Sequence, residues 1–228
     1  MMPVASLQRG ENKLNMPTNY IVGVDLGQSR DFTAIAVVER AELAGELSAA
    51  TYARSRTITL RLRHLERVEL GTPYPEVVDR VVQVTRSREL AGRSTLVVDG
   101  TGVGRPVVDL LRKERPGCPM MPAVITGGQR ETWNDGYYGI PKRDLIIGLQ
   151  VLLQQGTLQI AAGLKYGAAL AAEMAAMEVK VTSAGREQFG SWREGTHDDL
   201  VFAVALACWG SSKVSLEAGE GWRRLPGM

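Results

Sequence analysis

The chain has 228 residues, 44% hydrophobic and 23% charged, which suits one domain with a substantial core. A formal net charge of +2 permits a polyanionic partner without requiring one. Two cysteines, Cys118 and Cys208, exclude a disulfide scaffold or a cysteine-built zinc site, and no run of about eighteen uncharged apolar residues is available to span a membrane.

Residues 1–19 mix polar, Gly and Pro residues without a period and read as a mobile leader or linker; no apolar signal core precedes Tyr20, so a soluble protein that is not exported is expected. The run Tyr20-Ile-Val-Gly-Val-Asp25 has strand periodicity, with Ile21, Gly23 and Asp25 on one face and Val22, Val24 and Leu26 on the other. A carboxylate on the buried face of a core strand costs several kcal/mol unless a cation, a hydrogen-bond nest or a metal compensates it. The chain then turns over residues 27–31 and returns as a second strand, Phe32 to Glu39, before a polar connection from Ala41 to Ala49. From Thr51 to Leu65, apolar or Thr residues alternate with Arg54, Arg56, Arg61 and Arg63. That is a strand with a basic face, either facing DNA or keeping an edge soluble.

Thr72-Pro-Tyr-Pro75 opens a helix whose valines 77, 78, 81 and 82 form one stripe. Ser94 to Asp99 is a short buried strand that again ends in an acid, followed by the tight turn Gly100-Thr-Gly-Val-Gly104 and a helix from Arg105 to Lys113. Pro119 to Ile125 is a further strand, and Gly127 to Gly139 a long loop rich in aromatics. Pro141 starts the next helix, with Lys142 and Arg143 in its first turn. Cations there oppose the helix dipole, so they either reach an external anion such as a phosphate or remain solvated. An Ala-rich helix through Tyr166, Leu170, Met174 and Met177 follows, then a hairpin from Glu178 to Trp192. The last element is a buried helix, Val201 to Trp209, entered through His197, Asp198 and Asp199; residues 212–228 read as a flexible tail, which leaves a domain of 20–211.

The pattern predicts an α/β fold with helices on both faces of a mixed sheet: the first three strands antiparallel, the later ones parallel. A helical crossover makes the strands ending in Asp25 and Asp99 parallel neighbours, so both acids lie at the carboxyl edge, where open α/β sheets place their sites. With Asp198 and Asp199 they form an all-oxygen set suited to two Mg2+ or Mn2+ ions, the arrangement that hydrolyses phosphodiesters. Each acid also has an ordinary explanation: Asp198 and Asp199 as helix caps, Asp99 as a turn former, Asp31 as a turn residue rather than a supporting acid, and His197 as a hydrogen-bonding residue rather than a proton carrier.

Val-Gly-Val-Asp25-Leu-Gly with Asp31 after it, Val-Val-Asp99-Gly-Thr-Gly, Lys142 opening a helix and His197-Asp-Asp-Leu-Val-Phe-Ala resemble the nuclease domain of the large terminase subunit of tailed bacteriophages. The resemblance covers roughly Tyr20 to Trp209. It implies an RNase H-like fold related to RuvC-type resolvases and two-metal endonuclease cleavage of concatemeric double-stranded viral DNA during packaging. It further implies a host-cytoplasmic setting and a packaging ATPase motor, a small terminase subunit and a portal as partners. Carried over, Asp25, Asp99 and one or both of Asp198 and Asp199 would hold metal, with Asp31 nearby; from the residues themselves, His197 beside the acids is expected to assist proton transfer or orient a water, and Arg54, Arg56, Lys142 and Arg143 to hold DNA phosphates. The chain has no Gly-x-x-x-x-Gly-Lys-Ser/Thr loop, so no ATP hydrolysis is expected from it, whether it is part of a longer subunit or a stand-alone nuclease. An actin-like or sugar-kinase ATPase and a branched-DNA resolvase are the competing expectations.

Overall fold

A computed structural model describes residues 19–27, 31–47, 54–102, 104–181, 187–190 and 197–214. The expected leader, apart from Asn19, and all of the tail beyond Val214 lie outside these residues. The sheet is opened by β1 (Asn19–Asp25), β2 (Thr33–Leu47) and β3 (Arg54–Val68), each antiparallel to the one before it. Helix α1 (Tyr74–Thr85) then crosses to β4 (Ser94–Asp99), which pairs parallel to β1, and α2 (Gly104–Glu114) leads to β5 (Met120–Thr126), parallel to β4. After β6 (Thr132–Asn134) and β7 (Tyr137–Pro141) come α3 (Lys142–Gln154), β8 (Leu158–Ile160), α4 (Gly167–Ala176), the hairpin strands β9 (Glu178–Val181) and β10 (Glu187–Gly190), and α5 (Asp199–Lys213). The main sheet has the order β6-β7-β5-β4-β1-β2-β3-β8.

The period-2 alternation divides the core into two layers, one on each face of the sheet. Val22, Val24, Ile35 and Val98 pack with the valine stripe of α1 and with Val107, Val108 and Leu111 of α2. Ile21, Ala34, Ala36, Leu62 and Val97 pack with α3, α4 and the almost wholly buried α5. Asp25 therefore belongs to the face that α5 covers.

Several boundaries differ from the sequence expectation. The polar stretch after Glu39 is not a connection: β2 continues to Leu47 paired with β3, and Arg40 and Glu42 are both buried there as an ion pair with each other. The aromatic loop contains a hairpin instead, because Asp135 and Gly136 both take positive φ, 50° and 80°, as a two-residue turn between β6 and β7 demands. Pro141 ends β7 and precedes α3 as its cap residue rather than being its first helical residue. Strand β8 has no counterpart in the sequence reading, and α5 extends through Lys213 into what looked like tail. The side chains of Arg54 and Arg56 lie outside the described residues.

Candidate active site

Val24 pairs with Val98 in the parallel ladder of β1 and β4, so Asp25 and Asp99 leave the sheet side by side at its carboxyl edge. Asp99 is fixed by the turn that follows it. Its Oδ1 accepts from the Thr101 amide at 2.9 Å and from the Thr101 hydroxyl at 2.5 Å, while the Ile125 amide donates to that hydroxyl at 2.9 Å. Burial pushes Asp99 above the usual carboxylate range, and the Thr101 bonds and the nearby Lys142 charge pull it back.

Helix α5 brings the remaining acids to this edge. A Cβ at Gly23 would overlap the Ala203 carbonyl and stand 2.7 Å from the Ala207 amide nitrogen, and one at Gly210 would stand 3.0 Å from Ile21. The helix thus lies directly on β1 and runs antiparallel to it. From Gly23 to Asp25 the strand advances about 7 Å, and from Ala203 back to Asp199 and Asp198 the helix retreats about 6–7.5 Å. Residues 198 and 199 consequently arrive at the level of Asp25. Desolvation raises the Asp25 pKa well above its ordinary value, and repulsion from Asp99, Asp198 and Asp199 adds to it; Lys142 opposes them.

The two adjacent aspartates have different surroundings. Asp198 is the N-cap residue of α5, but it is 34% exposed and its side chain makes no cap hydrogen bond, so its carboxylate is not committed to the helix end. Its Oδ2 lies 3.5 Å from the Lys142 Nζ, which also sits 4.5 Å from the centre of the Phe202 ring. The anion that Lys142 meets is thus intramolecular. Asp199 is only 5% exposed and is held by both oxygens: Arg67 Nε donates to Oδ2 at 2.8 Å and Nη2 to Oδ1 at 3.2 Å. Arg67 also pairs with Glu173 of α4, whose Oε2 accepts from the Val201 amide at 3.2 Å and so satisfies one of the free donors at the start of α5. One guanidinium cannot neutralise two carboxylates in a buried setting. Burial, with Asp199's charge added, lifts Glu173 to about 7 despite Arg67.

Arg67 and Glu173 were not singled out in the sequence. Arg67 sits in a strand whose Arg61 and Arg63 reach Glu39 on the opposite face, and a bulge hides its direction: Val37 pairs with His64 but Val38 with Leu62, leaving Arg63 as the extra residue. That single insertion turns Leu65 and Arg67 toward α5. In the folded sheet Asp25, Ala34 and Arg67 share one rung across three strands, a register that the bulge makes unreadable from the sequence pattern.

The other candidates are more dispersed. His197 packs edge-to-face on Phe32, with ring centres 5.1 Å apart. Asp31 is exposed and lines a surface pocket with Gly27, Thr33 and Tyr74; none of the contacts described for the four aspartates involves it. Arg143 is exposed in the first turn of α3. Among the described residues, no three Asp, Glu, His or Cys side chains are already gathered closely enough to ligate one ion. The donor chemistry nevertheless fits a hard divalent cation: oxygen-only side chains, mutual repulsion around Asp25, and one lysine offsetting several acids.

No protein-family model and no curated protein matches the sequence. Solved structures do match in fold. The large terminase nuclease from thermophilic phage G20c with bound magnesium superposes with a TM-score of 0.56 at 22% identity, covering 84% of this chain and 81% of that one. A lysine-to-alanine mutant nuclease domain of the large terminase subunit of bacterial virus Sf6, with manganese, gives 0.56 at 14% identity over 83% and 88%. The chain has the RNase H-like fold of the nuclease domains of phage large terminases, the family its ordered acidic motifs resemble.

Proposed function

We propose that the chain is a metal-dependent endonuclease of viral DNA packaging, which cuts double-stranded concatemers by phosphodiester hydrolysis with two Mg2+ or Mn2+ ions. The observation that carries this reading is the convergence on one sheet edge of Asp25, Asp99 and an Asp198 whose side chain makes no cap bond. Asp25, Asp99 and Asp198 would hold the ions. When bound, the ions lower the pKa of the attacking water and stabilise the leaving oxygen.

The chain's own groups contribute in distinct ways. Asp25, the most crowded acid, gains most from a cation. Asp99 is aimed by Thr101, so its free valence is fixed in direction before any ion arrives. Lys142 offsets the acid cluster and, with Arg143 one residue on, offers positive charge to a DNA phosphate. His197 stands at the entrance of the last helix, where it could orient a water.

The partners follow from the same reading: double-stranded DNA, a packaging ATPase motor, a small terminase subunit and a portal, in the host cytoplasm. The chain itself would hydrolyse no ATP. The Thr101 hydroxyl already donates its proton to Asp99 and accepts from the Ile125 amide, so it has no donor left for a nucleotide phosphate. Supercoiled plasmid incubated with Mg2+ or Mn2+ should be nicked and linearised, and chelator or Asp25→Asn should abolish both products. Intact plasmid in both metals, together with ATP turnover lost in the same variant, would favour the kinase-like alternative.

A further inference from the structure

The paired Asp198-Asp199 sequence offers two carboxylates where the proposed centre uses one, and the fold contains a device that separates them. Arg67 stands on the same rung as Asp25, two strands away, or about 10 Å along the hydrogen-bonding direction. The bulge at Arg63 is what turns it to that face. Its guanidinium bonds both oxygens of Asp199, and its face rests 4.8 Å from the centre of the Phe32 ring, which in turn packs on His197. Arg67 also meets Glu173, which accepts the Val201 amide. Strand β3, the Phe32 corner, α4 and the first turn of α5 are therefore all tied to one cation.

We infer that Arg67 is a positioning residue that selects between the two aspartates: by occupying both oxygens of Asp199 it withholds that group from the metal-binding set and fixes the start of α5 so that Asp198 faces Asp25 and Asp99. This rests on the nuclease reading. Without the guanidinium, Asp199 is a buried carboxylate lacking its counter-ion, and the nearest relief is a cation at the neighbouring centre. A carboxylate that turns toward an ion adds binding but displaces the ion from its working position.

The full chain, its Arg67→Gln variant and the double variant Arg67→Gln/Asp199→Asn separate this from a merely structural role. Mn2+ alone is titrated calorimetrically, and kcat for plasmid nicking is measured over a range of Mn2+ concentrations. Arg67→Gln should bind Mn2+ at least as tightly as the wild type while kcat falls by about tenfold or more. The double variant, which replaces the ion pair with a neutral amide pair, should recover kcat to within about threefold. A structural strut predicts the opposite: the second substitution deepens the loss, and Mn2+ binding weakens in step with thermal stability. That result overturns the inference, as does an Arg67→Gln protein with unchanged binding and kcat. Should Arg67→Gln not fold, Asp199→Asn compared with Asp198→Asn decides the matter. Loss of kcat in Asp199→Asn as deep as in Asp198→Asn contradicts the inference; a loss smaller by about a hundredfold supports it. A wild type that neither binds Mn2+ nor cuts DNA removes the nuclease reading itself, whereas failure confined to the variants leaves that reading standing.

Discussion

At the residue scale, the proposed function rests on acids crowded together at one edge of the sheet. Asp25 receives repulsion from three other aspartates in a desolvated position, and Lys142, which offsets it, is shared with Asp198. Mn2+ should therefore raise the Tm of the wild type markedly, by binding the folded state alone, and raise that of Asp25→Asn far less; differential scanning fluorimetry in chelator and in Mn2+ checks it. Equal metal-induced shifts would place the ions elsewhere. Asp25, Asp99 and the Asp198-Asp199 pair were visible in the sequence because a charge inside an apolar run is costly and conspicuous. Which of the last two is accessible was not visible, since the answer depends on a guanidinium 132 positions away in the chain. Glu173 was hidden for a related reason: in an Ala-rich helix it reads as a solvated charge, and only the packing of α4 on α5 brings it to the Val201 amide.

At the element scale, the site depends on how closely α5 approaches β1. Gly23→Val should be severely destabilising, because any β-carbon there meets α5 backbone, which cannot give way like a side chain. Overpacking of this kind costs about 1–3 kcal/mol or more, and chemical denaturation should show it together with loss of cleavage. A Gly23→Val protein of wild-type stability would mean that the helix does not lie on this strand. On the other face, Glu66 at the end of β3 accepts two bonds from Arg80 of α1, each 2.6 Å, and one contact from His64 at 2.9 Å. Burial alone would raise Glu66, but the Arg80 and His64 bonds outweigh it and hold the carboxyl down at about 2. A depressed carboxylate stabilises the fold above its unfolded value near 4.5 and loses that contribution as pH falls toward 2. Glu66→Gln should thus cost about 1 kcal/mol at neutral pH and flatten the acid limb of the stability curve. An acid limb identical to the wild type's would rule the pair out as a contributor. The strands β1 and β4 were legible as apolar runs, whereas the far half of β2 was not, because its Arg40 and Glu42 pair with each other and so look like loop charges.

At the scale of the whole molecule, one topological step does most of the organising: the crossover through α1 returns β4 parallel to β1, and two acids far apart in sequence become neighbours. That step was predictable from handedness and connection rules, as was the division of helices between the two faces. The β6-β7 hairpin and the short β8 were not, being three-residue or turn-dominated segments with little periodicity of their own. If the proposed function holds, a net charge of only +2 leaves duplex DNA to be held mainly through a local set of phosphate contacts. Binding measured by fluorescence anisotropy should be weak, indifferent to sequence and reduced steeply between low and moderate salt; tight binding that persists at high salt would contradict this. Asp25, Asp99 and Asp198 are proposed to form one metal centre, and crystals soaked in Mn2+ and recorded at the manganese absorption edge would show whether they do. Anomalous peaks bounded by these three carboxylates, with Asp199 still on Arg67, are the predicted result. Peaks elsewhere, or an empty site at millimolar Mn2+, would contradict the account.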